Sequence, residues 1–290
     1  MKTVDIISPE KNYKNILEKI ITTGTRKQNR TGTDTLSLFS TNWDSGDIIS
    51  SGRIPLLTCR KTYWKGALVE LFWILGILQA QNPIQGLHRN NVKYLQREGC
   101  KYWDAWANEN GDLGPVYGAQ LMEWDGAVNQ IQNIIDTLRT NPDDRRLVCT
   151  MWNPGELKQM ALPPCHYCFE FYSRPDADGN RYLSLRWTQR SCDMPVGVGY
   201  DIMMYSFLLI MIAKMTNHKP ERVYGSFGDS HVYVNQIDGV KKMIAAPHID
   251  PPYFEYTGPD YVENLNDFKL DWFKITDYVY NENIPLPVSV

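Results

Sequence analysis

Leu162-Pro163-Pro164-Cys165-His166 runs into Tyr167 to Arg174, and the reading of this stretch decides the fold. Two prolines fix the backbone just ahead of a cysteine, and β-forming residues then flank Glu170 up to a Pro-Asp-Ala-Asp-Gly-Asn turn. The pattern predicts a strand whose mouth carries Cys165. A cysteine so placed is either an exposed nucleophile or a small buried hydrophobe, and the surrounding chain has to choose.

Working outward, the turn leads to a second strand over Tyr182 to Gln189, which delivers Arg190-Ser191-Cys192-Asp193. A two-glycine loop, Met194 to Gly199, precedes a largely apolar helix over Tyr200 to Met215 with Asp201 in its first turn. Gly228-Asp229-Ser230-His231-Val232-Tyr233 comes before a further helix. Phe268 to Tyr280 reads as strand-like, and the tail Ile284 to Val290 is proline-spaced and apolar at its end.

Upstream, Ser8-Pro9-Glu10 caps a helix striped by Ile16, Leu17, Ile20 and Ile21 that stops near Gly24. The loop Arg26 to Asp34 centres on Arg30-Thr31-Gly32-Thr33, which suits a phosphate or is simply a solvated loop. Short strands are expected at Leu36 to Phe39 and Asp47 to Ile49. Lys65 to Gln79 is apolar on every side and too short for a membrane span, so it predicts one buried helix. Glu70 at its centre is either a working carboxylate or half of a structural ion pair. The aromatic run Tyr102 to Trp106 and the glycine-rich Gly111 to Gly118 either wall a flat ligand or stack in the core. Val128, Ile131, Ile135 and Leu138 mark another helix. After it, Asp143-Asp144-Arg145-Arg146 either forks onto a phosphate or neutralises itself, and Leu147 to Trp152 reads as a strand.

Helices and strands alternate without a composition break across 290 residues, which points to a single domain, 1–290, of α/β (α+β) class around one mixed sheet. With 43% hydrophobic and 22% charged residues and a net charge of −3, the chain has no basic field for nucleic acid or an anionic membrane. The six cysteines form no framework and Met1 runs into a polar stretch, so free thiols in a reducing cytoplasm are expected. No metal is expected, because the Cys165 and Cys168 spacing has no second pair and sits on a strand.

These segments together resemble thymidylate synthase, in order from Arg30-Thr31-Gly32-Thr33 through Glu70-Leu71-Phe72-Trp73, Trp103-Asp104, Asp112 to Gly118, Asn141 to Arg146, Ala161 to His166 and Gln189 to Asp193 to Asp229 to Asn235. The resemblance implies a mixed sheet flanked by helices in a back-to-back homodimer. It implies that Cys165 attacks C6 of a nucleoside monophosphate, so that C5 takes the methylene carbon of 5,10-methylenetetrahydrofolate, the cosubstrate. Arg190 would lower the thiol pKa and, with Arg30 and Ser191, hold the phosphate, which Arg145 and Arg146 would reach from the other subunit. Glu70 would organise proton-moving waters near Tyr117 and His166. His231 and Tyr233 would bind the deoxyribose, Asp193 the pterin, and Trp103, Trp106, Gly197 and the Val290 carboxylate would complete the folate side.

Departures sharpen the expectation. Asp201 stands in Gly-Tyr-Asp-Ile where synthases have Pro-Phe-Asn-Ile, Glu170 where they have Gln, Leu121 where many have Trp, and Gly199 where Pro is usual. An amide matches uracil, whereas a carboxyl group can accept from cytosine N4 and share a proton with N3. Asp201 therefore predicts dCMP over dUMP unless it merely caps its helix. The same residue marks the family's deoxycytidylate hydroxymethylase branch, phage enzymes that modify cytosine for DNA, working in the host cytoplasm. The expected reaction is dCMP to 5-hydroxymethyl-dCMP. Methylation of dCMP comes second, then thymidylate synthesis, and an inactive relative with a binding role is the reading from another class.

Overall fold

The computed structural model describes residues 8–289. Its frame is a six-stranded mixed sheet in the order β1 (Thr25–Lys27), β2 (Thr35–Asp44), β6 (Lys219–Tyr233), β5 (Arg181–Asp193), β4 (His166–Pro175) and β3 (Val148–Thr150). Every neighbouring pair is antiparallel except β5 and β6, which run parallel. A separate antiparallel pair joins β7 (Tyr253–Tyr256) to β8 (Phe273–Thr276).

The two faces of the large sheet have opposite characters, as period-2 alternation dictates. Phe169, Phe171, Leu183, Leu185, Trp187, Val223 and Phe227 point to one side and are buried. The helix Gly199–Met215 covers them. It is apolar all round because the sheet lies on one side and the helix Trp64–Ile74 on another. By length and composition, Met194–Met215 would cross a membrane, yet most of it is buried inside the protein. Trp187 stacks on Tyr205 of this helix at 5.0 Å and packs against Trp43 and Phe227, and each such pair adds about 1 kcal/mol beyond its burial. On the other face, Glu170, Tyr172, Arg174, Arg186 and Tyr224 remain partly or largely exposed and line a cleft of about 930 Å³ with Arg145.

Several elements differ from the sequence expectation. The buried helix predicted over Lys65 to Gln79 is two, Trp64–Ile74 and Ile77–Gln81, broken where Gly76 takes a left-handed φ of 76°. Asp47 to Ile49 is not a strand but a turn into a short 3-10 segment, closed by Gly52 at φ 79°. Only Phe273–Thr276 of the strand-like Phe268 to Tyr280 pairs, since the 3-10 turn Leu270–Trp272 precedes it and left-handed Asp277 ends it. Val128 lies ahead of its helix, Gln130–Thr140, and is exposed.

Candidate active site

The strand directions gather the site at one end of the sheet. β5 and β6 are parallel, so their carboxyl ends lie together, with Ser191 opposite Asp229 and Asp193 opposite His231. β4 is antiparallel to β5, which brings its beginning to the same end and sets His166 opposite Gln189. A bulge between His166 and Cys168 interrupts the alternation and re-aims the first residues of β4.

Cys165 sits just before that strand, partly buried. Its N–H donates to the Tyr117 hydroxyl at 3.0 Å, and its carbonyl accepts from the Arg190 N–H at 2.8 Å. Arg190 also grips the proline pair, with Nε donating to the Pro164 carbonyl at 2.8 Å and Nη2 to that of Pro163 at 3.0 Å. The prolines and the guanidinium thus fix the backbone that carries the sulfur. Burial pushes the Cys165 thiol up; Arg190 and then Arg30 pull it down, while Asp201 pushes it further up. The expected lowering by Arg190 is present but smaller than the cost of burial, so the net shift is upward.

Tyr117 stacks on His166 at 4.4 Å, and the His166 Nδ1 hydrogen-bonds the Tyr205 hydroxyl at 2.7 Å. Burial drives the His166 imidazole down to about 3, which keeps it neutral at physiological pH. It orients its neighbours and does not take up a proton there. The glycine-rich run before Tyr117 serves both earlier readings. Leu113 and Val116 are core residues, and the next position aims a hydroxyl at the nucleophile.

Glu70 is buried with no cation beside it among the described residues. Its Oε1 accepts from Trp103 Nε1 at 2.6 Å, and the Tyr102 hydroxyl is near enough to favour the ionised form as well. Burial, opposed by these two donors, pushes its carboxyl up to about 7. Asp201 is also buried. Burial first, opposed by a hydrogen bond from Gln189, and then the charge of Glu70 push its carboxyl up to about 7. Both carboxyls are thus raised toward neutrality, and the charge of Glu70 is one of the causes that raise Asp201. Asp201 makes no capping hydrogen bond, although it lies in the first turn of its helix. The nearest side chain to the open space at Gly197 is Asp201, 4.0 Å from where a Cβ would stand.

A pH dependence follows. A base is required in its ionised form, so kcat/KM should fall as pH drops below about 7 and Glu70 is protonated. Glu70→Gln should remove this acid limb and lower kcat by roughly 10²- to 10⁴-fold. Steady-state rates from pH 5 to 9 check both, and an unchanged acid limb in the variant would reassign it.

The remaining expected residues divide by position. Arg30 lies in the loop after β1, where its charge reaches Cys165 and Tyr233, and Thr31 hydrogen-bonds the Tyr233 hydroxyl. His231 meets Tyr233 edge to face at 5.4 Å, with Nδ1 3.2 Å from the Asp229 carbonyl. Asp193 is half-buried, accepts from the Val196 N–H at 3.2 Å and is held by Gln236 Nε2 at 3.1 Å. Gln236 also donates to the Pro287 carbonyl at 3.0 Å, bringing the tail to this place. Val290 lies outside the described residues. Trp103 packs between Trp73, Trp106 and Tyr117, and Trp106 also walls a neighbouring cleft of about 730 Å³.

Within one chain, three of the named residues lie away from the nucleophile. Arg145 and Arg146 are not beside Cys165. Leu147 pairs with Phe171, which puts them level with Tyr172, roughly 20 Å along the strand from the nucleophile. Arg146 pairs with Asp144 at 2.8 Å with its side chain 88% exposed, and Arg145 lines the open-face cleft. Glu170 adds no acid near the base, because it pairs with Arg186 on that same open face.

Compared with known protein families, the sequence matches the one described as thymidylate synthase over residues 11–290. The chain belongs to the thymidylate synthase family. Its members transfer a one-carbon unit from methylenetetrahydrofolate to a pyrimidine nucleotide and typically form dimers, so the protein is a transferase with a folate cosubstrate. The cysteine, the arginine behind it and the buried carboxyls fit that chemistry by their own geometry. Sequence reading passed over Gln189, Tyr205 and Gln236, which act only by holding Asp201, His166 and Asp193. The one available signal was that Gln189 and Gln236 border the Arg190 and Asp229 to Asn235 motifs.

Proposed function

We propose that the protein hydroxymethylates dCMP at C5. Cys165 adds to C6, C5 takes the methylene carbon from methylenetetrahydrofolate, and water completes the group after the folate leaves. The observation that carries the reading is the state of Asp201, a buried carboxyl pushed up to about 7 beside Gln189. Facing cytosine, the carboxyl group accepts from N4 and shares one proton with N3 whichever of the two holds it, whereas facing uracil its ionised form would be repelled by O4. Arg30, Arg190 and Ser191 take the phosphate, His231 and Tyr233 the deoxyribose, and Asp193 with Trp103, Trp106, Gly197 and Val290 the folate.

The open face of the sheet, with Glu170, Tyr172 and Arg186, is the surface for a second subunit placed back to back. Arg145 and Arg146, at its edge and far from their own Cys165, are then free to serve the partner's phosphate. Cytoplasmic nucleotide supply for a phage is the setting that fits.

A second reading, methylation of dCMP, is favoured by Trp103, whose buried indole closes over Glu70 and limits water. Mass spectrometry of the nucleotide formed from dCMP or dUMP with methylenetetrahydrofolate decides, since the two products differ by one oxygen atom. A hydroxymethylated product without dihydrofolate is expected. Dihydrofolate formed with dCMP would overturn hydroxymethylation, and turnover of dUMP alone would overturn the reading of Asp201.

A further inference from the structure

The run that places Asp201 also places Tyr200, at a position where thymidylate synthases carry phenylalanine. Its hydroxyl hydrogen-bonds that of Tyr102, and the two rings meet edge to face at 5.6 Å. The Tyr102 hydroxyl in turn donates to the Gly66 carbonyl at 3.0 Å and lies close enough to the Glu70 carboxyl to pull its pKa down. Space for the pair depends on the absence of a side chain at 66. A Cβ there would stand 2.7 Å from both the Tyr200 hydroxyl oxygen and the Tyr63 ring. Phenylalanine at 102 and 200 would pack the same rings and leave Trp103 as the donor to Glu70. The hydroxyls therefore add proton carriers to the folate side of the base, where ring packing alone does not call for them.

We propose that Tyr102 and Tyr200 position the water that adds to the exocyclic methylene and relay its proton to Glu70, so that this pair directs the adduct to the hydroxymethyl product. The inference rests on the hydroxymethylation reading above and deepens it. In the step, the water oxygen bonds to the methylene carbon and one of its O–H bonds breaks. The proton passes to the Tyr200 oxygen as the Tyr200 proton moves to Tyr102 and the Tyr102 proton moves to the Glu70 carboxylate. The methylene π electrons shift into the ring, and their return forms the C5–C6 double bond and expels the Cys165 sulfur from C6 as thiolate. Tyr102 has one proton and two acceptors, Gly66 and Glu70, so its donation can turn to the carboxylate when Glu70 is ionised. Tyr200 touches the reacting water, and Tyr102, which acts through it, is a positioning residue.

The test uses the full-length protein, methylenetetrahydrofolate and dCMP tritiated at C5. Tritium release reports formation of the methylene adduct, and 5-hydroxymethyl-dCMP measured by mass reports the water step. Wild type should give a ratio of product to tritium near unity. Tyr200→Phe and Tyr102→Phe should each lower that ratio about tenfold or more, and the double variant should fall no further than the worse single one, because one relay is being cut. A ratio that stays at the wild-type value in both single variants, even with a slower overall rate, would show that the tyrosines serve packing and would overturn the inference alone. Wild type that forms only 5-methyl-dCMP would overturn the proposed function, and this inference with it.

Discussion

Asp201→Asn is expected to exchange the protein's preference from dCMP to dUMP. The substitution keeps size and shape and changes only which atoms donate. Cytosine presents an N4 donor and an N3 acceptor, and uracil reverses both. Each buried mismatch costs about 1–3 kcal/mol, so two reversed contacts should move the ratio of kcat/KM values by roughly 10²-fold or more. A second signature separates base reading from simple damage. Asp201 loses its proton as pH rises through about 7, and the ionised carboxylate can no longer donate to N3. Wild-type kcat/KM for dCMP should therefore fall on the alkaline side of about 7. An amide does not titrate, so that limb should vanish in the variant while the acid limb from Glu70 remains. Competition between the two nucleotides, followed by tritium release from C5, measures the exchange directly. Unchanged preference for dCMP would show that Asp201 does not touch the base.

Cys165→Ser should lower turnover by at least about 10³-fold, with the residue set by whatever the bound pair of substrates achieves unaided. A serine hydroxyl at this site has no base beside it suited to take its proton. His166 is held neutral by burial and is engaged with Tyr205, and the Tyr117 hydroxyl accepts from the backbone of Cys165. Nucleotide binding should survive, because the phosphate and base contacts lie on other residues. The direct readout is covalent. With 5-fluoro-dCMP, C5 has no proton to lose, and wild type should stall as a protein–nucleotide–folate adduct visible in an intact-mass spectrum. The serine variant should show no added mass while calorimetry still registers dCMP. Turnover above a tenth of wild type would remove Cys165 as the nucleophile.

Much of this site was legible in the chain because its parts are local. The proline pair ahead of Cys165, the carboxyl inside an apolar helix and the Asp in place of Asn each make their chemical point within a few residues. What the chain conceals is set by pairing over long distances. The parallel pairing of β5 and β6 brings His231 level with Asp193, and nothing near either residue announces it. Register also removes Arg145 and Arg146 from their own nucleophile, although the motif reads as a phosphate fork. The place of Glu170 is hidden for the same reason. Its face of β4, and hence its partner Arg186, is fixed only once the bulge at the start of the strand is known. Helix breaks followed backbone geometry, since Gly76 sits in an otherwise uninterrupted apolar run and divides it by a single left-handed residue.

Arg190 binds the carbonyls of Pro163 and Pro164 with one part of its guanidinium and is otherwise exposed. Grip and aim are thereby coupled through one side chain. On the role proposed for Arg190, a phosphate drawn onto it would pull against the same backbone that carries the sulfur, so recognition at one end of the nucleotide would calibrate the line of attack at the other. A nucleoside without its phosphate should then lose more than affinity: it would reach a nucleophile that has not been brought to bear, and the loss should fall on the rate of bond making as well as on occupancy.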